Sequence, residues 1–202
     1  RLPAGSLIGT ASLRRQAILK AQHPQLKFAE LKGNLDTRLA KLRAPRSPLA
    51  GIVVAAAGLG RLYGAAAPAF ARLPVATLIP AAGQGALALE IREDDAVMRK
   101  ILAPVHHPAT AVCVEAEREL QRRLEGGCQV PLGVHATLSD DGLLHLSACL
   151  ARLNGSRLIL ERQSGAADDP LGIAAALETL LVNRGAREIL DELRPRPGKP
   201  RS

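Results

Sequence analysis

The sequence predicts an α/β domain with a parallel sheet, followed by a smaller α+β domain with a three-stranded antiparallel sheet and helices. Three observations lead there. Between Leu7 and Ile79 short apolar runs alternate with helical segments, and most of the runs end at glycine and a capping side chain, the order that yields parallel strands with helical crossovers. Beyond Cys128 that alternation stops, and three strand-like runs are joined at Asp140-Asp141-Gly142 and Asn154-Gly155, the second a strong hairpin signal. Charge divides in the same place. Residues 1–80 hold twelve Lys or Arg against only Glu30 and Asp36, a surplus of ten, whereas residues 104–202 hold twelve basic and thirteen acidic side chains.

Taken in order, Leu7-Ile8-Gly9 reads as a short strand, and Thr10 or Ser12 caps a helix running to Gln22. Leu26–Leu31 alternates as a second strand, and Asn34 caps a helix from Leu35 to Arg43. Gly51–Ala57 is a continuous apolar run of buried-strand type, followed by a short helix from Leu59 to Tyr63, and Val75–Ile79 reads as a further strand. Gly83-Gln84-Gly85 then turns into another apolar strand, and Asp94 or Asp95 caps a helix ending near Leu102. A long helix, Ala109–Leu124, precedes strands Leu132–Leu138, Leu143–Leu150 and Arg157–Gln163 and helices Pro170–Asn183 and Ala186–Leu193. The domains predicted are 1–82, a crossing segment 83–104, and 105–193, with a disordered basic tail 194–202.

The basic first part calls for an anionic partner. Nucleic acid is one candidate, but single-strand binding uses aromatic platforms, and only Phe28, Tyr63 and Phe70 exist. A small polyanion, a polycarboxylate or phosphate ester, fits equally well. Its site is predicted at the first helix: the N–H groups and positive dipole end there face the Gly9 turn, and Arg14 and Arg15 add bidentate donors. Arginine in a first turn opposes the dipole, so a ligand explains it better than stability does. Lys32, Asn34 and Arg38 follow the second strand in the same manner and line the same cleft.

Cys113, Cys128 and Cys149 are odd in number and lack C-x-x-C spacing, which argues against a disulfide framework or structural zinc and fits a reducing cytoplasm. No apolar run approaches the roughly 18 residues that span a bilayer. Adjacent His106 and His107 point different ways on most backbones and are weak metal evidence. Cys128 stands apart. Gly126-Gly127 before it and Pro131 after it place the thiol on a turn, and Arg122 and Arg123 lie close upstream, where cations lower a thiol's pKa. The residues alone leave it either a nucleophile or attachment point, or a small buried apolar group.

Gly9-Thr10-Ala11-Ser12-Leu13-Arg14-Arg15-Gln16, Lys32-Gly33-Asn34 with Thr37-Arg38-Leu39, Ala55-Ala56-Ala57-Gly58-Leu59, Leu78–Ala86 and Leu124-Glu125-Gly126-Gly127-Cys128-Gln129-Val130-Pro131 together resemble porphobilinogen deaminase, also called hydroxymethylbilane synthase. The resemblance covers nearly the whole chain except the tail. It implies a transferase of tetrapyrrole and heme biosynthesis, cytoplasmic and monomeric, that joins four porphobilinogen molecules head to tail with loss of ammonia. Its primer would be a dipyrromethane cofactor held as a thioether on Cys128. By matching position Thr10, Ser12, Arg14, Arg15, Lys32, Arg38, Ala55 and Gln84 would bind that cofactor, and Arg14, Arg15, Arg38 and Arg61 the substrate and growing linear pyrrole chain, with no nucleic acid, membrane or metal involved. The first domain would be periplasmic-binding-protein-like.

The sequence departs from the family in three places. The catalytic aspartate would lie upstream of Arg1, and neither Glu30 nor Asp36 matches its motif, so the chain alone is expected to be inactive and 83–104 to belong to an otherwise missing domain. Lys32 stands where arginine is usual, keeping charge but losing the fork. Arg43-Ala44-Pro45-Arg46-Ser47-Pro48 differs from the usual loop. The alternative expectation is a truncated, non-catalytic relative that binds small polyanions.

Overall fold

A computed structural model describes residues 2–64, 70–127 and 130–194 of the chain. Cys128 and tail residues 195–202 lie outside them.

The first unit is a parallel sheet of order β2-β1-β3, with β1 Leu7–Gly9 between β2 Lys27–Ala29 and β3 Leu49–Ile52. Helix α1, Leu13–Gln22, connects β1 to β2, and α2, Leu35–Arg43, connects β2 to β3. Both begin at side-chain caps: Ser12 Oγ accepts from Arg15 N and Asn34 Oδ1 from Thr37 N. Parallel pairing aligns the carboxyl ends of the three strands on one edge, where Val53 N donates to Gly9 O and Thr10 N to Ala29 O. Ligands of such sheets lie along that edge.

Three of the expected strands differ. The third strand lies at Leu49–Ile52 rather than Gly51–Ala57, and Ala56 already belongs to α3, Ala56–Tyr63. β1 offers only three residues to pair with, and the alanines past it are good helix formers. Val75–Ile79 is a turn: Pro74 O accepts from Thr77 N and Leu78 N, and the chain then delivers Ile79 to the core. Residues 86–89 form no strand, for among the described residues nothing pairs with them and Leu87 stands 80% exposed. Helix α4, Ala96–Leu102, is capped by Asp95.

The second unit starts with α5, Pro108–Arg123, whose cap is the His107 ring accepting from Thr110 N. Strands β4 Leu132–Leu138, β5 Leu143–Ala151 and β6 Leu158–Ala166 form an antiparallel meander, and α6 Pro170–Asn183 and α7 Ala186–Leu193 follow. Side chains alternate across a strand, so Leu144, Leu146, Ala148 and Leu150 face the helices and join Leu120, Leu177 and Leu181 in the main core. Cys149 and Ala151 point the other way, and there Ala17 and Ile18 of α1 cover them together with Ile79. The end of β5 is thus buried on both faces, and α1 joins the two units.

A candidate anion site at the carboxyl edge of the parallel sheet

Gly9 ends β1 where a side chain has no room: a Cβ would lie 2.9 Å from Leu31 Cδ2 and 3.2 Å from Ile52 Cγ2. The chain then turns sharply into α1. Thr10 is buried, its Oγ1 accepting from Ser12 N at 3.2 Å, and Ser12 caps the helix. Two predicted residues therefore shape the turn through their hydroxyls. The first turn of α1 holds no acidic residue.

Arg14 is only 6% exposed. Its Nη1 donates to Ile79 O and its Nη2 to Gln84 Oε1 at 3.1 Å, so both acceptors are neutral. Burial, followed by the neighbouring Arg15 charge, lowers its pKa to about 10. Arg15 Nη1 reaches across the edge to Val53 O at 3.1 Å, just past β3. Its pKa is lowered too, by burial first and then by the charge of Arg38. Arg38 stands on α2 with Nε donating to Gly33 O at 2.8 Å. Ala55 is the N-cap of α3 and makes no side-chain cap bond, so that helix start is left open. Arg61 Nη2 donates to Gly85 O at 2.9 Å and ties α3 to the Gly83-Gln84-Gly85 turn.

The edge thus gathers Arg14, Arg15, Arg38, Ala55 and Gln84, with Arg61 at its rim. Lys32 differs from these arginines in standing in an exposed pair with Glu30 at 3.1 Å. Cys128 lies outside the described residues, between Gly127 and Val130, and Val130 N donates to Gly127 O at 2.9 Å.

Ion pairing separates this edge from much of the second unit, although Arg118 and Arg162 there, and Arg43, Arg46, Arg72 and Arg99 elsewhere, also lack an ion pair among the described residues. In the second unit Arg122, Arg123, Arg152, Arg157, Arg184, Arg187 and Arg194 each meet a carboxylate within 4.0 Å. Among the described residues none of Arg14, Arg15, Arg38 and Arg61 does. Arg14, buried, and Arg15, half-buried, repel each other and lack carboxylates, an electrostatic cost that a bound anion relieves. A cavity of about 300 Å³ beneath the Gly83 turn shares Gln84 with this edge but is otherwise lined by residues such as Cys113, Glu117 and His135, with no Arg or Lys among the described lining residues to attract an anion.

Glu117 escaped notice in the sequence. It is 5% exposed, and its Oε2 accepts from Gly83 N at 2.6 Å while Oε1 accepts from Ala136 N at 2.7 Å. The carboxylate therefore holds the Gln84 turn against β4. The available signal was its place beside the buried stripe Ala116, Leu120 and Leu124 of α5.

Two family models match the chain in succession. Residues 1–100 match the family model "Porphobilinogen deaminase, dipyromethane cofactor binding domain", and residues 111–181 match "Porphobilinogen deaminase, C-terminal domain". Porphobilinogen deaminase of Thiobacillus denitrificans is 47% identical over 192 residues, which is 95% of this chain and 61% of that protein. The Burkholderia thailandensis protein of the same name is 47% identical over 195 residues, 95% of this chain and 58% of the relative. The chain thus spans about three-fifths of the length of these curated relatives. Nothing in the matches supports a non-catalytic anion-binding module. Two family models matched in order and near-half identity along almost the whole chain establish that it belongs to the porphobilinogen deaminase family.

Proposed function

We propose that the chain is the cofactor-holding part of a hydroxymethylbilane synthase, which joins four porphobilinogen molecules into a linear tetrapyrrole with loss of one ammonia per condensation. The observation that carries this reading is the set of arginines without carboxylates at the sheet edge. Each pyrrole of such a chain bears an acetate and a propionate, so the ligand brings the carboxylates the edge lacks, and the family model for this half is described as cofactor binding.

The residues present fit a dipyrromethane, a ligand with several carboxylates. Arg14 and Arg15 hold carboxylates in partly desolvated surroundings, where a charge-assisted hydrogen bond is strong. Arg38 and Arg61 receive those of the incoming porphobilinogen, and Lys32, as a more mobile point charge, serves the outer end of the cleft. Thr10 and Ser12 keep the start of α1 turned toward the ligand, and the uncapped start of α3 at Ala55 gives it free N–H groups. Gln84 forms the wall toward the second unit. Cys128 is the attachment point, following Gly126 and Gly127, whose lack of side chains permits close approach. Once attached, the dipyrromethane supplies the free α-carbon on which the pyrrole chain grows.

The β2-β1-β3 sheet, with three helix starts on its carboxyl edge, then forms half of a periplasmic-binding-type fold. Residues 83–104, whose Leu87, Val97 and Ile101 stand exposed, belong to a further domain beyond this chain.

Intact mass tests the reading. Protein purified under non-reducing conditions carries an excess equal to a dipyrromethane, lost in Cys128→Ser; a wild-type mass equal to that of the bare chain contradicts covalent attachment.

A further inference from the structure

Arg14 has two acceptors of unlike character. Ile79 O belongs to the main chain of a buried residue and cannot leave. Gln84 Oε1 sits at the end of a flexible side chain on an exposed residue. The backbone beneath it is firmly held: Gly83 N donates to Glu117, Gln84 N to Ala81 O, Ala86 N to Gly83 O, and Gly83 and Gly85 take φ of 68° and 100°. The turn is fixed and only the amide is free to move.

On the reading of the site given above, we propose that the Gln84 amide is a placeholder: it satisfies the Arg14 guanidinium when no carboxylate is bound and swings into solvent when one arrives. A buried guanidinium left short of an acceptor is costly, which explains why a neutral amide is kept there. A carboxylate makes a charge-assisted bond about twice as strong as a neutral one and therefore displaces it. The released side chain regains rotamer freedom, which lowers the cost of exchange. Gln84 serves the empty site rather than the filled one. It sets ligand affinity below what Arg14 alone would give, so a bound carboxylate is the easier to release.

Succinate, a plain dicarboxylate, is the probe, with wild type, Gln84→Ala and Gln84→Glu compared by thermal melting and calorimetry. Gln84→Ala melts lower than wild type without succinate, binds it roughly tenfold more tightly because no acceptor has to be displaced, and shows a larger rise in Tm. Gln84→Glu, with a permanent internal carboxylate, melts higher and loses succinate binding at pH 7. Succinate binding by Gln84→Ala that equals or falls below wild type overturns the proposal. A parallel titration with porphobilinogen separates the two ideas. If wild type ignores porphobilinogen, the pyrrole reading fails, while the succinate comparison still decides the role of Gln84.

Discussion

The carbonyl oxygen of Ile79 lies 2.7 Å from where a Cβ on Gly133 would be, and Cys149 Sγ lies 2.9 Å from it. That contact seats the first unit on the antiparallel sheet, and the same carbonyl accepts from Arg14. The seam and the anion site therefore share an atom.

Gly133→Ala should disturb both. Main chain and a buried thiol cannot both give way, so the substitution is expected to lower stability by about 1–3 kcal/mol in urea denaturation. It should also weaken anion binding, because Ile79 shifts away from Arg14. Stability within about 0.5 kcal/mol of wild type would mean that the seam is loose.

Glu117→Gln removes the charge from a carboxylate that accepts two backbone N–H bonds and turns an amide N–H₂ toward one of those donors. The expected loss is about 1–3 kcal/mol, since a buried donor is left facing a donor. Hydrogen exchange at Gly83 and Ala136 should accelerate before that of the β5 core. Unchanged exchange at both amides would contradict the clamp.

Burial pushes the Cys149 thiol from 9.0 up to about 11, with Gly133 and Arg14 opposing weakly. Below pH 9 the thiol is protonated in both states and its stability contribution is fully present. Between pH 9 and about 11 the unfolded chain sheds the proton while the folded chain keeps it, so stability falls. Urea denaturation from pH 8.5 to 10.5 should show wild type losing about 2 kcal/mol more than Cys149→Ala. Equal pH slopes in the two would refute a buried neutral thiol.

Helix starts were legible in the sequence because their signal is local: Ser12, Asn34 and Asp95 each cap the helix that follows within a few residues. The hairpins of the second unit were legible for the same reason. Val75–Ile79 and residues 86–89 misled, because an apolar run has the same pattern whether or not another strand lies beside it. At the site, charge counting found Arg14, Arg15 and Arg38. It did not find what Arg14 touches, since Ile79 and Gln84 lie 65 and 70 residues further on. Nor did it separate Lys32, which pairs with Glu30, from the arginines left without carboxylates. That distinction is set by folding.

Calorimetric titration of porphobilinogen at low ionic strength tests the central claim most directly, comparing wild type with Arg15→Gln and with Arg184→Gln, whose arginine is already paired with Glu161 at 2.8 Å. Saturable binding that weakens about tenfold or more in Arg15→Gln, fades with added salt and is unchanged in Arg184→Gln is the predicted result. No saturable binding, or equal losses in both variants, would contradict it.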